Sequence, residues 1–179
     1  MRKAMILLSV LFPFATFVFY ALYRCNENLV LYSVFVTFLT FSYHFVMRMV
    51  VGILTRFFPA KYRNPGNWWF RPKKFERKIY NFLRVKNWKG KVPAYFPDAF
   101  SLEKHSLNEI AKTMCGAEIT HEIIVVLSFV PVLFSIEFGV LAVFVSTSLL
   151  AAAIDSVFII VQRYNRPRIM RLLKTREKQ

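Results

Sequence analysis

The chain is poor in glycine, with five in 179 residues. Nucleotide cradles of the usual kind need glycines where backbone approaches phosphate. No Walker motif, Gly-rich phosphate loop, nucleophile elbow or internal repeat is present. Histidine is as scarce. Three in the chain, with His105 in a loop, exclude the histidine-rich iron sites of membrane desaturases. The two cysteines, Cys25 and Cys115, lack zinc-site spacing. Acids are few as well: 10 Asp and Glu face 25 Lys and Arg, giving a net charge of +15.

What the chain has in excess is apolar surface, at 56% hydrophobic and 17% aromatic residues. That is too apolar for an ordinary soluble domain of this size. A spanning helix needs ~20 apolar residues, and four stretches qualify, at about 4–22, 29–54, 119–136 and 138–161. The sequence therefore predicts an all-α polytopic membrane protein forming one membrane domain over 1–179. A cytosolic interfacial region occupies 55–118 and a basic tail 162–179. Nucleic-acid binders share the charge but not the spans, so that class is excluded. Anionic membrane lipids are the expected partners of the basic, aromatic-rich segments.

The first apolar run follows Arg2 and Lys3, lacks a small-residue cleavage site and is long for a signal peptide. It reads as an uncleaved helix bent at Pro13, followed by a short outer loop over 23–28. In the second span Ser33, Thr37, Thr40, His44 and Arg48 fall on one helical face. Ionisable residues at membrane depth usually face the protein interior. His44 reads either as a packed, hydrogen-bonded histidine or as a catalytic one. Arg48 reads as a side chain reaching the cytosolic surface, and either Arg48 or His44 can partner Asp155 of the fourth span.

Between Arg56 and Lys91 there are twelve Lys or Arg, one acid (Glu76) and all three tryptophans. Charge interleaved with indole rings suits a membrane interface. Phe75, Ile79, Phe82 and Leu83 share a helical face, which predicts an amphipathic helix on the cytosolic leaflet. Pro93 and Pro97 predict an extended loop over 92–100, Ala94 to Phe96 included. Ser106 with Glu109 has the capping-box pattern. The helix it starts is expected to run into the third span and kink at Pro131. Small residues around Ser148 and Ala152 allow close helix approach in the fourth span.

Gln162-Arg163-Tyr164-Asn165-Arg166-Pro167-Arg168 places three arginines where that span ends. A positive-inside anchor needs only charge. Planar guanidinium forks set among amide and aromatic groups suit carboxylate or phosphate recognition, so a ligand-facing role stands ahead of a pure anchor.

The run from Ile159 to Arg168 resembles the C-terminal signature of the glycosyl-4,4′-diaponeurosporenoate acyltransferase family. Other pieces agree in order: Thr55-Arg56 with Pro59 and Lys61-Tyr62, the stretch from Asn67 to Glu76, Trp88-Lys89 with Lys91, and Ala117-Glu118 with His121. The resemblance implies a membrane enzyme that moves a fatty acyl group to a sugar hydroxyl of a glycosylated carotenoid. It raises Arg56, Glu76, Trp88, Lys89 and Lys91 to candidate site residues. The chain departs from the family's pattern at Asp155 and Val157, where asparagine with a nearby proline is usual. It departs again at Glu122, where an aromatic residue follows the histidine, and at Cys115-Gly116, where the approach is basic.

Glu118 and His121 are neighbours on one helical face. Acyl transfer from a thioester needs a base for the hydroxyl proton and donors for the oxyanion. A histidine oriented by a carboxylate can be that base, which makes His121 and Glu118 the catalytic candidates. Arg163, Asn165, Arg166 and Arg168, with Gln162 and Tyr164, are candidates for the donor's phosphates or the oxyanion. The other reading of the pair is an interfacial Glu–His hydrogen bond. The expected donor is acyl-CoA or acyl carrier protein, the acceptor a lipid or glycolipid, and no cofactor is expected. Two other readings are a metal-dependent membrane enzyme using Glu118, His121 and Glu122, and a non-enzymatic lipid-binding or accessory membrane protein.

Topology follows from charge. Lys and Arg number fourteen from Arg56 to Lys112 and seven from Arg163 onward, against one in the first outer loop. The positive-inside rule then puts both termini in the cytosol of a multi-pass cell-membrane protein, and Cys25 and Cys115 on opposite sides, with no disulfide expected. Cysteines introduced beside Lys174 should label only after the membrane is permeabilised. Labelling from outside in intact cells would reverse the orientation.

Overall fold

The computed structural model describes residues 2–93 and 97–176. Among them are seven α-helices and no strand: α1 (Arg2–Asn26), α2 (Leu29–Leu54), α3 (Glu76–Phe82), α4 (Val85–Trp88), α5 (Leu107–Leu127), α6 (Pro131–Phe138) and α7 (Leu141–Arg176). Four stretches are long and apolar enough to cross a membrane: Lys3–Asn26, Leu29–Phe57, Leu107–Phe138 and Leu141–Arg176. The chain divides into two compact units. One holds Met1–Ile53 with Ile123–Asp155, the other Leu54–Glu122 with Ser156–Gln179.

In the first unit the core is aromatic. Phe35, Val36 and Phe144 are buried, with Phe19, Tyr32, Phe134 and Phe138 packed against them. Phe12 of α1 meets Phe38, Phe41 and Phe45 of α2, and Thr16 Oγ1 lies 2.8 Å from Ser42 Oγ. The opposite flank of α1 leaves Leu7, Val10, Phe14 and Phe17 exposed, as a lipid-facing surface would. The outer loop expected over 23–28 shrinks to a turn at Glu27 and Asn28, because α1 stays helical to Asn26.

The polar face of α2 resolves in two ways. The hydroxyls of Ser33, Thr37 and Thr40 each donate to the carbonyl four residues back, which satisfies them within the helix. Arg48 does not reach for the surface. Its Nε and Nη2 donate to Asp155 Oδ2 at 3.1 and 2.5 Å, and Nη1 donates to the His44 carbonyl at 3.0 Å. A charge at membrane depth is costly alone, and pairing with hydrogen-bonded groups offsets that cost. His44 is buried, and neither ring nitrogen has a hydrogen-bond partner among the described residues.

The third span is broken rather than merely kinked. α5 ends at Leu127 and α6 starts at Pro131, its first residue. Proline has no N–H to return to the carbonyl of Leu127. That oxygen instead accepts from the Tyr43 hydroxyl at 2.9 Å and the Val130 amide at 3.1 Å. The next turn is set by Gly139, at φ +66° and ψ −144°, a conformation open only to glycine without strain. Consequently α7 starts at Leu141, not at 138 as the hydrophobic run suggests.

The largest departure is at the other end of α7. The sequence ends the fourth span at 161 and places a basic tail over 162–179; the structure makes that tail helical, with α7 continuing through Pro167 to Arg176, 36 residues in all. At 1.5 Å per residue that is about 54 Å, well beyond the ~30 Å of a hydrocarbon core. Pro167 removes one backbone bond. Arg163, one turn before it, and Arg166, the residue just before it, are held by side-chain bonds described below, which offsets that loss.

In the second unit the expected amphipathic helix is α3, with Phe75, Ile79, Phe82 and Leu83 all exposed and Glu76 buried. The capping box forms as expected: the Ser106 amide donates to Glu109 Oε2 at 2.8 Å, and the Glu109 amide to Ser106 Oγ at 3.3 Å. Of the loop expected over 92–100, Pro97–Phe100 is a 3-10 turn, and Ala94 to Phe96 lie outside the described residues.

Removing one partner of a buried ion pair costs about 3–5 kcal/mol. Arg48→Met should therefore unfold in detergent at markedly lower temperature than the parent, and Arg48→Met with Asp155→Leu should recover much of the loss. Tyr43→Phe should cost about 1 kcal/mol by freeing the Leu127 carbonyl. Equal melting temperatures for Arg48→Met and the parent would show that the pair carries no stability.

Candidate active site

Four elements of the second unit converge through side chains: the 3-10 turn Trp68–Phe70, α3, α5 and the last turns of α7. Arg163 and Arg166 are one turn apart on α7 and share a face. Glu76 opens α3, and Glu118 lies midway along α5. Arg163 donates from Nε and Nη2 to Glu76 Oε1 at 3.0 and 2.6 Å, and from Nη1 to Glu118 Oε1 at 2.6 Å. Arg166 donates from Nη1 to Glu118 Oε2 and from Nη2 to the Phe70 carbonyl at 2.8 Å. Its guanidinium also lies 4.8 Å from the centroid of the Phe70 ring. Glu118 is 0% exposed and Arg166 2%.

Two carboxylates and two guanidiniums thus leave water as a set with no net charge. Such a set is worth keeping only when every charge is met. Both oxygens of Glu118 are met by arginines. Glu76 Oε2 accepts from the Tyr80 hydroxyl at 2.9 Å. Burial, then the hydrogen bond and charge of Glu76, push the Tyr80 phenol above its ordinary pKa, so it remains a donor. The fork of Arg163 meets two acids at once through three N–H groups held in one plane, a geometry that a lysine ammonium lacks.

This geometry changes the reading of the arginine run. The sequence makes Arg163 and Arg166 candidates for a donor's phosphates or the oxyanion; in the structure their N–H groups bond Glu76, Glu118 and the Trp69 and Phe70 carbonyls. Arg168 is different. It is exposed and lies 5.5 Å from the Tyr164 ring centroid. Lys89 lies 4.9 Å from the same ring and donates to Asn165 Oδ1 at 2.5 Å. Among the described residues neither cation has an acidic partner. Burial and then the charge of Arg168 pull the Lys89 ammonium below the ordinary lysine pKa. Tyr164 also meets Tyr80 edge to face, 5.4 Å between centroids.

His121 is half-buried on α5, its ring stacked on Phe158 at 4.7 Å and 8°. The short bonds of Glu118 run to arginines, so its contacts express a network anchor. Glu122 accepts the Trp69 indole N–H at 3.1 and 3.0 Å. The three residues weighed as metal ligands thus send both acids to nitrogen donors, two of them cationic. No group of three or more ligating side chains converges among the described residues.

The remaining candidates are scattered. Trp88 donates from Nε1 to the Leu83 carbonyl at 2.8 Å and so braces the turn between α3 and α4. Gln162 is half-buried and Lys91 exposed. Arg56 is exposed, and its carbonyl accepts from Arg63. His44, Arg48 and Asp155 belong to the first unit. Sequence reasoning did not single out Tyr80, Trp69 or Phe70 as site residues. Trp69 and Phe70 lie inside the 67–76 stretch that resembles the family, and Tyr80 stands four residues after a lone glutamate on a predicted helix.

The sequence model described as glycosyl-4,4′-diaponeurosporenoate acyltransferase matches residues 66–175, more than half of the chain. It contains every member of the glutamate–arginine network. Comparison with curated proteins finds no match, and neither does comparison with solved structures.

Because Arg166 serves two acceptors in a buried site, Arg166→Lys should lower thermal stability by a few kcal/mol. Arg168→Ala, at an exposed position, should leave the melting temperature unchanged. The reverse order of stabilities would return Arg166 to a ligand-facing role.

Proposed function

The chain belongs to the glycosyl-4,4′-diaponeurosporenoate acyltransferase family, and on that premise we propose how its acyl transfer is arranged. It is a membrane-associated acyltransferase of a carotenoid pathway. The proposed donor is a cytosolic thioester, acyl-CoA or acyl carrier protein, and the proposed acceptor is a hydroxyl of a glycosylated lipid. Both termini are assigned to the cytosol of a multi-pass cell-membrane protein. The observation that carries this reading is the convergence of separate family-like motifs: Glu76, Glu118, Arg163 and Arg166 meet in one network, with Lys89 and Asn165 bonded beside it.

His121 acts as general base. It takes the proton of the acceptor hydroxyl as that oxygen attacks the thioester carbonyl. A C–O bond forms, the C–S bond breaks, and the leaving thiolate takes the proton from the imidazolium. Phe158, stacked on the imidazole, fixes the plane in which the ring presents its nitrogens. Glu118 orients this region through the arginines. Lys89 and Arg168 supply the positive field for the donor's phosphate. Two cations on one tyrosine repel each other, and an anion between them relieves that. With Lys89 on its carbonyl oxygen, Asn165 keeps its amide N–H groups for a developing oxyanion.

His121→Ala should lower turnover by about 10²–10⁴-fold, the usual contribution of a positioned base, while folding like the parent. Arg168→Ala should raise donor KM and leave kcat nearly unchanged. The measurement is ester formation from a labelled acyl thioester by protein in lipid nanodiscs. Near-parental turnover by His121→Ala would remove it as base and make His44 the leading candidate.

A further inference from the structure

A groove of about 320 Å³ lies beside the glutamate–arginine network, and the proposed mechanism does not use it. Its walls are Trp69, Phe75, Ile79 and Ile160. Tyr80, Glu76 and Arg163 line it as well, yet their polar atoms are turned onto one another, Tyr80 and Arg163 both bonding Glu76. The groove is therefore faced almost wholly by carbon, although its floor is built from charged residues. Its rim is wet: Lys73 lines it and sends its ammonium to the Trp68 carbonyl at 3.3 Å. Phe75 and Ile79 are also part of the exposed apolar face around α3.

We propose that this groove holds the fatty acyl chain of the donor thioester, a reading that rests on the acyltransferase function above. Three observations select that occupant. The volume is at the low end for ligand pockets, ~300–1,000 Å³, as a single slender hydrocarbon chain requires. The network neutralises Arg163 within the site, so the interior offers no cation to a headgroup. A flexible saturated chain bends along a short irregular wall, whereas the conjugated rod of a carotenoid acceptor does not. Trp69 links the groove to the chemistry, since its indole N–H is bonded to Glu122, the residue after His121. A chain seated against Trp69 brings its thioester end toward that turn of α5. Ile160, half-buried in the wall, sets how much chain is accepted.

The test uses the full-length protein in nanodiscs and palmitoyl-CoA carrying a diazirine at the chain end. Mass spectrometry of the photolysed protein should find the label on peptides containing Trp69, Ile79 or Ile160. Unlabelled palmitoyl-CoA should compete it away, and Ile160→Trp should lose most of it. In the transfer assay Ile160→Trp should shift preference from long to medium acyl chains. Label spread over α1 and α2, label indifferent to Ile160→Trp, or label displaced only by a glycosylated carotenoid or by phospholipid would each overturn the proposal. If the parent forms ester but labels elsewhere, the groove assignment falls alone. If the groove labels but no ester forms, the proposed function falls and a fatty-chain site remains.

Discussion

Desolvation of four charges is the constraint on which the second unit depends. Glu76, Arg163, Glu118 and Arg166 are buried to different degrees, and removing any one would strand another without water. Each ion carries a penalty of several kcal/mol that only close, saturated pairing recovers. The network therefore specifies geometry more than it adds stability: α3, the 68–70 turn, α5 and α7 must all be in register for every charge to be met. It explains why α7 stays helical across Pro167 and why the carbon of charged residues can face an apolar groove.

The same network divides the basic charge of the chain into two populations. Arg163 and Arg166 are neutralised internally. Lys89 and Arg168, a few residues away in sequence or in contact, share Tyr164 with no acid paired to either among the described residues. An excess of 15 positive charges thus does not spread as one field. Part of it is paired within the fold, and part has no acidic partner among the described residues. Reading the Gln162–Arg168 run as a single ligand-binding cluster merges the two.

Much of the architecture could be read from sequence because its signals are local. Hydrophobic length gives the four spans, and Ser106 with Glu109 gives the start of α5. The rarity of charge in the apolar stretches 29–54 and 138–161 offers Arg48 or His44 as a partner for Asp155, and the structure pairs it with Arg48. What escaped depends on partners distant in sequence. Nothing near Pro131 says that Tyr43, 84 residues away, will satisfy the Leu127 carbonyl and let the helix break cleanly. Nothing near Pro167 says that Glu118 and Glu76 will hold the helix through it. The two arginines read as ligand-facing because an acid 45 or 87 residues away is invisible to spacing.

The converging motifs are proposed to serve acyl transfer from a thioester to a sugar hydroxyl at a membrane. The most direct measurement supplies purified protein in nanodiscs with an isotopically labelled acyl thioester and a glycosylated carotenoid acid, and follows both by mass spectrometry. A new ester should form in which the label is joined to the glycoside, together with an equal amount of free thiol. Release of free fatty acid without ester, or an unchanged thioester beside an unchanged glycoside, would contradict it.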